Sequence, residues 1–274
     1  MARLCFNTFN RSAYFGIDPD LPRQIAAAAD AGFTLFGPDL FSLDAWIASG
    51  HDLEGLVGLL SARGLACWEL AAGLYVGSVA ETLQMARHAA DLAAILRPSW
   101  ILTNVGVPVD GSSRALFAEA CEILVATGAR AAIEYMPHTP VNSIAEARKL
   151  VEHVGIDRAG ILLDTWHHFR GPDTYAELEN LPLEFVAYVQ FDDALPMNST
   201  DITSETLQRR AFPGEGEFDL EGYCARMHAK GFDGVVSVEI LNGEWRNRDA
   251  FEFARRAYAT SGRYWNVEGG ASNS

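Results

Sequence analysis

The 274-residue sequence predicts an α/β protein built as a single (β/α)8 TIM barrel. Three observations lead there. Short apolar runs alternate with longer stretches of helical periodicity from one end of the chain to the other. Eight such strand–helix units fill the chain, and about 250 residues is the usual length of this barrel. The first run leads into Asn7-Thr8-Phe9-Asn10-Arg11 and not into a Gly-rich phosphate turn, which counts against an open doubly wound sheet.

In chain order, the apolar run 4–9 is the first strand, and the helical pattern 22–31 follows and stops at Gly32. Strand 34–36 leads to helix 53–63, ahead of Gly64. Strand 65–70 leads to helix 80–96, and strand 100–105 to helix 116–126, ahead of Gly128. Strand 131–136 precedes helix 144–153, with Gly155 behind it. Strands 160–166 and 185–191 come next, then helix 220–229 ahead of Gly231, strand 235–241 and a closing helix at 249–261. A glycine at these positions takes the left-handed cap that ends a helix, and the next strand begins a few residues on. One barrel is expected over 1–265, and the Gly- and Ser-containing end, 266–274, as a frayed tail.

Composition excludes several classes of function. With 49% hydrophobic and 21% charged residues the chain is an ordinary globular sequence. A net charge of −15 disfavours a nucleic-acid reader, which needs a basic face. No apolar run approaches the roughly 18 residues of a membrane helix. Residues 1–7 lack the pattern of a secretory leader. The scattered Cys5, Cys67, Cys121 and Cys224 suit a reducing cytoplasm. Lys149 and Lys230, the only lysines, fall in helical stretches, which argues against Schiff-base chemistry at a strand end.

Active sites of such barrels form at the carboxyl ends of the strands. Four consecutive apolar runs close on an oxygen-bearing side chain: Glu134, Asp164, Gln190 and Glu239. Three carboxylates converging in a partly dry mouth repel one another unless a cation offsets them. Taken singly, each reads equally well as a helix cap or half of a salt bridge; in sequence they read as a metal site. An oxygen-only donor set suits Mn²⁺ or Mg²⁺, with Co²⁺ and Zn²⁺ as further candidates.

The segments Ile133-Glu134-Tyr135-Met136-Pro137, Leu163-Asp164-Thr165-Trp166-His167, Val189-Gln190-Phe191-Asp192-Asp193, Arg210-Ala211-Phe212-Pro213-Gly214-Glu215-Gly216 and Ser237-Val238-Glu239 resemble the xylose-isomerase-like barrel superfamily. That group holds sugar isomerases and epimerases, hydroxypyruvate isomerase, inosose dehydratase and 3-dehydroshikimate dehydratase. The resemblance implies that Glu134, Asp164, Gln190 and Glu239 bind the divalent ion. It also implies that His167 touches substrate hydroxyls or moves protons, and that Arg210 binds a substrate oxygen. Gln190 stands where the ketose 3-epimerases carry His, which draws the reading toward the hydroxypyruvate isomerase and dehydratase branches. The further histidines of the superfamily's DNA-repair endonucleases are missing, since none precedes His51.

The expected chemistry is proton abstraction beside a carbonyl, through an enediolate, with Glu134 and Glu239 as base and acid on opposite faces of the substrate and His167 assisting. His138, on the loop after Glu134, is a candidate acid for a leaving hydroxyl. Of the adjacent His167 and His168, one is expected to enter the mouth. Glu69, Asn104 and Trp166 are further candidate substrate contacts. No paired glycines or lysine mark a phosphate site, so the substrate is expected to be a small unphosphorylated polyhydroxylated carbonyl compound. The leading expectation is an isomerase or epimerase, the alternative a dehydratase of an inosose or 3-dehydroshikimate-like compound, and the second alternative a non-catalytic barrel subunit. No nucleic acid or membrane partner is expected; a homodimer or homotetramer is, from the relatives.

Overall fold

The computed structural model describes residues 1–265; the expected tail at 266–274 lies outside them. The strands are β1 (Arg3–Asn7), β2 (Leu35–Gly37), β3 (Ala66–Cys67), β4 (Glu69–Val76), β5 (Trp100–Val105), β6 (Arg130–Glu134), β7 (Ala159–Asp164), β8 (Val186–Phe191), β9 (Asp193–Ala194), β10 (Arg210–Ala211) and β11 (Val235–Val238). Nine of them form one sheet in the order β3-β2-β1-β11-β8-β7-β6-β5-β4. Its pairings are all parallel. β3 and β4 are two pieces of one strand. Trp68 between them donates its N–H to Phe36 on one side and accepts from Ser99 and Trp100 on the other, which closes the circle at eight strand positions. The expected TIM barrel is therefore present.

The helices are α1 (Leu21–Ala31), α2 (Leu40–Ala48), α3 (Leu53–Ala62), α4 (Val79–Leu96), α5 (Gly111–Val125), α6 (Ile144–Val154), α7 (Thr165–Arg170), α8 (Tyr175–Asn180), α9 (Ile202–Gln208), α10 (Leu220–Ala229) and α11 (Ala250–Ser261). Gly32, Gly64, Gly128, Gly155 and Gly231 all take positive φ, between 70° and 103°, as their positions after helices predict. Among the described residues, no helix is long and apolar enough to cross a membrane.

The structure corrects three boundaries that matter for the site. The run expected as strand 160–166 stops at Asp164, because that carboxylate accepts the His167 N–H and caps α7. The run 131–136 stops at Glu134, and the run 235–241 at Val238, one residue before Glu239. An antiparallel ribbon, β9 with β10, and the short helix α9 occupy the excursion between β8 and α10, which showed no apolar periodicity.

Two cores hold the barrel. One lies between sheet and helices, and the other, built on Cys5, Leu35, Trp100, Leu102, Ala132, Leu162, Tyr188 and Val235, fills the barrel interior. The interior is thus largely apolar below, and polar residues gather toward the carboxyl ends of the strands, with Glu69 and Ser237 buried beneath them.

His168 and His167 diverge because successive residues of a helix point about 100° apart. His168 packs into an aromatic group, stacked 5.8 Å from Tyr175 and edge-on at 5.4 Å to Tyr223. Burial lowers its pKa to about 4. Since the unfolded chain takes up this proton near pH 6.5, the stability His168 contributes is present above that value and is lost as pH falls toward 4. His168→Phe is expected to lose about 2–3 kcal/mol less stability than the wild type between neutral pH and about pH 4, measured by urea unfolding at both.

Candidate active site

Glu134 ends β6, Asp164 ends β7, Gln190 lies within β8 and Glu239 follows β11. Parallel register places Asp164 beside Gln190, and Gln190 beside Ser237. All four side chains are buried. The structure places them at one end of the barrel as two linked groups, Glu134 and Asp164 with His167, and Gln190 with Glu239, and Arg210 lies between Asp164 and Glu239. Ligand atoms of Glu134, Asp164 and His167 all lie within 4.8 Å of one another. His167 Nε2 is 3.4 Å from Glu134 Oε1 and 3.9 Å from Asp164 Oδ2.

On the other side of the group, Glu239 Oε1 accepts from Asn7 Nδ2 and from Gln190 Nε2, each at 3.0 Å. This fixes the Gln190 amide, and its Oε1 is left buried with no hydrogen-bond partner. Glu134 Oε2 accepts from Asn104 Nδ2 at 2.6 Å. An orphaned amide oxygen beside clustered carboxylates is a donor set that fits a hard divalent cation. His167 adds a nitrogen donor, which also suits zinc.

Arg210 departs from the exposed loop residue that its neighbour Arg209 allows as an alternative. It is 2% exposed. The β9–β10 ribbon aims it into the carboxylates, where one guanidinium nitrogen lies 2.8 Å from Asp164 Oδ2, 2.5 Å from Asp192 Oδ2 and 3.3 Å from Glu239 Oε2. Nε and the other terminal nitrogen donate to the Thr206 carbonyl and hydroxyl, at 3.1 and 3.0 Å. Burial alone would weaken the Arg210 charge, but Asp164, Asp192 and Glu239 hold it firmly protonated. Burial also works to raise Asp164, yet Arg210 and His167 bring it below its ordinary value. Glu239 is held well above its own, by burial first and then by Glu134 and Asp164, against the pull of Arg210.

A cavity of about 340 Å³ opens over this group. Glu134, Glu239, His167, Arg210, Asn104 and His138 all line it. Its remaining wall is largely apolar, with Phe9, Tyr14, Phe41, Leu74, Tyr75 and Leu241 among its residues. Burial, with His167 nearby, lowers the His138 pKa, so this histidine is neutral at neutral pH.

Two expected substrate contacts are corrected. Glu69 is fully buried and does not line the cavity, because it points into the barrel below the floor. Trp166 is 1% exposed and lies behind His167, edge-on at 5.3 Å, with Arg210 over its ring at 5.8 Å. It supports the site from outside the cavity.

Sequence reasoning offered Asn7 only as a weaker candidate contact to substrate hydroxyls, and it assigned no role to Asp192, Asp193 or Thr206. Asp192 anchors Arg210 and accepts a 2.6 Å bond from the Thr165 hydroxyl. Asp193 accepts from the N–H groups of Gly214, Gly216 and Phe218, folding the Pro213-Gly214-Glu215-Gly216 turn onto the end of β8. A side chain at Gly216 would lie 2.3 Å from the Ala194 carbonyl. The signal was the Asp192-Asp193 pair itself, two carboxylates where a strand leaves the barrel.

Comparison with known proteins places this geometry. Residues 25–258 match the model of the xylose isomerase-like TIM barrel family. A 3-dehydroshikimate dehydratase of Pseudomonas aeruginosa is 28% identical over 237 residues, covering 82% of this chain and 37% of that protein. An inosose isomerase of Halalkalibacterium halodurans is 28% identical over 148 residues, covering 53% of this chain and 51% of that one. The matches thus span about half the length of these curated relatives or less. The crystal structure of an IolI protein with a bound zinc atom superposes with a TM-score of 0.84 at 19% identity, over 96% of this chain and 97% of that one. The matched span runs from α1 into α11 and takes in Glu134, Asp164, Gln190 and Glu239, so the chain belongs to the xylose isomerase-like TIM barrel family.

Proposed function

We propose that this protein is a divalent-metal-dependent enzyme that removes water from a small, unphosphorylated, hydroxylated ring ketone, of the inosose or 3-dehydroshikimate type. The observation that carries this reading is the uneven lining of the cavity: Glu134 pairs with His167 and Glu239 with Arg210, while Phe9, Phe41, Leu74, Met85, Leu102 and Leu241 make much of the rest apolar. An open-chain sugar needs hydrogen-bond partners along its whole length. A ring with its carbonyl and hydroxyls on one edge needs them on one side only. The extent of the match to the 3-dehydroshikimate dehydratase of Pseudomonas aeruginosa supports the same choice.

Glu134, Asp164, Gln190 and Glu239 would hold the ion, with His167 adjoining them; Mn²⁺ or Mg²⁺ suits the oxygen donors, and Zn²⁺ the histidine. Such an ion polarises a neighbouring carbonyl and so acidifies the C–H beside it. Neutral His138, on the cavity wall, is suited to take up a proton. Glu134 and His167, 3.4 Å apart, form an acid–base pair that can deliver one to the departing hydroxyl. Glu239 faces the substrate from three strands away from Glu134, and Arg210 offers its charge to a substrate oxygen or carboxylate. Isomerisation shares the first proton transfer and is the second reading, favoured by the inosose isomerase relatives.

The test is proton NMR of reactions in D₂O with Mn²⁺ and either 3-dehydroshikimate or an inosose. Water loss is expected, and Glu134→Gln should slow it roughly 10²–10⁴-fold with the fold intact by circular dichroism. An isomer formed without water loss would place the second reading first. No conversion of any ketose, inosose or dehydroshikimate would leave the chain as a non-catalytic barrel.

A further inference from the structure

Glu69, the first residue of β4, lies beneath the cavity floor, fully buried and away from the substrate space. Its Oε1 accepts from the Ser237 hydroxyl and stands 3.8 Å from Cys5 Sγ, and its Oε2 is buried with no hydrogen-bond partner. Ser237 Oγ in turn accepts from Asn7 Nδ2 at 3.4 Å, and the same amide nitrogen donates to Glu239 Oε1 at 3.0 Å. Asn7 cannot turn over, because its Oδ1 already accepts the Phe9 N–H at 2.8 Å. Three side chains from three strands thus lead in line from Glu69 to an active-site carboxylate. Room for Glu69 is made by Gly37, where a Cβ would lie 2.6 Å from the Glu69 Cγ.

A buried carboxyl group with an unmet oxygen costs stability that an apolar residue of similar size would not. The charged neighbours that act on Glu69 make this worse, since Glu134 and Glu239 are both carboxylates. Cys5, Cys67 and Tyr188 are the other titratable groups packed around it. A costly group that touches no ligand, yet connects to one that does, has its use in that connection.

We propose that Glu69 is a positioning residue that fixes Glu239 through Ser237 and Asn7. This rests on the reading of Glu239 as an active-site carboxylate. With Glu69 ionised, the single Ser237 proton is committed to it, and the hydroxyl lone pair is left for Asn7, which is thereby aimed at Glu239. Burial raises Glu69 to about 7, against the Ser237 hydroxyl and the Cys5 thiol that bond to it. Near neutral pH it therefore exchanges a proton, and once protonated it donates to its neighbours, turns the Ser237 hydroxyl and loosens Asn7.

The experiment compares wild type, Glu69→Gln, Ser237→Ala and the double variant as full chains loaded with Mn²⁺. Each single variant is expected to lower kcat roughly tenfold or more with little change in KM, and the double variant to be no worse than either, because the two act in one line. The step in kcat near pH 7 should vanish in Glu69→Gln. Thermal unfolding gives a readout free of turnover. Glu69's raised pKa contributes stability at about pH 5 that is lost as pH rises through about 7, so Glu69→Gln should gain on the wild type between about pH 5 and pH 8. Unchanged kcat and pH profile in both single variants would overturn the proposal. If the wild type converts no compound, the function reading fails by itself, and Mn²⁺ affinity by calorimetry decides. Weakening in Ser237→Ala of roughly tenfold supports the link, and equal affinities overturn it.

Discussion

Glu134, Asp164, Asp192 and Glu239 are buried together at one end of a barrel, and a single guanidinium, that of Arg210, reaches three of them. Two like charges 4–5 Å apart repel by roughly 3–4 kcal/mol at an effective dielectric near 20, so one arginine does not balance the group. Much of the surrounding architecture answers that constraint. The β9–β10 ribbon and α9 carry Arg210 inward and hold it at Thr206. Asn7 and Gln190 each donate to Glu239, Asn104 donates to Glu134, and Thr165 donates to Asp192.

The barrel makes this arrangement stable by separating it from the rest of the fold. Beneath the carboxylates the interior is filled by Trp100, Leu102, Leu162, Tyr188 and their neighbours, which shut out water from below. The cavity is lined in part by Phe9, Tyr14 and Phe41, which lie in aromatic contact. A charged floor under an apolar wall gives a bound molecule one orientation, with its oxygens down. Orientation of that kind is what proton transfer between fixed carboxylates and histidines requires.

Much of this was legible in the sequence. The alternation of apolar runs with helical patterns gave the barrel, and the residues closing four runs gave Glu134, Asp164, Gln190 and Glu239. What was not legible depends on distances between elements far apart in the chain. Glu69 stands near the end of the expected strand 65–70, but in the structure it opens β4, which runs on to Val76, and a missing side chain at Gly37 leaves it room below the floor. Trp166 follows Asp164 as His167 does, yet the helical turn capped by Asp164 sends one behind the site and the other into it. Asn7 and Asp192 stand at the ends of apolar runs, and only the closing of β1 against β11 and of α7 against β8 gives them partners.

On the proposed reading, a divalent ion completes this carboxylate group. The most direct measurement is elemental analysis of the purified protein, paired with thermal unfolding before and after a chelator. Close to one Mn²⁺, Mg²⁺ or Zn²⁺ per chain is the predicted result, with a fall in unfolding temperature on chelation that returning the ion reverses. A protein that carries no such ion and unfolds at the same temperature whether chelated or supplied with any of the three would contradict it.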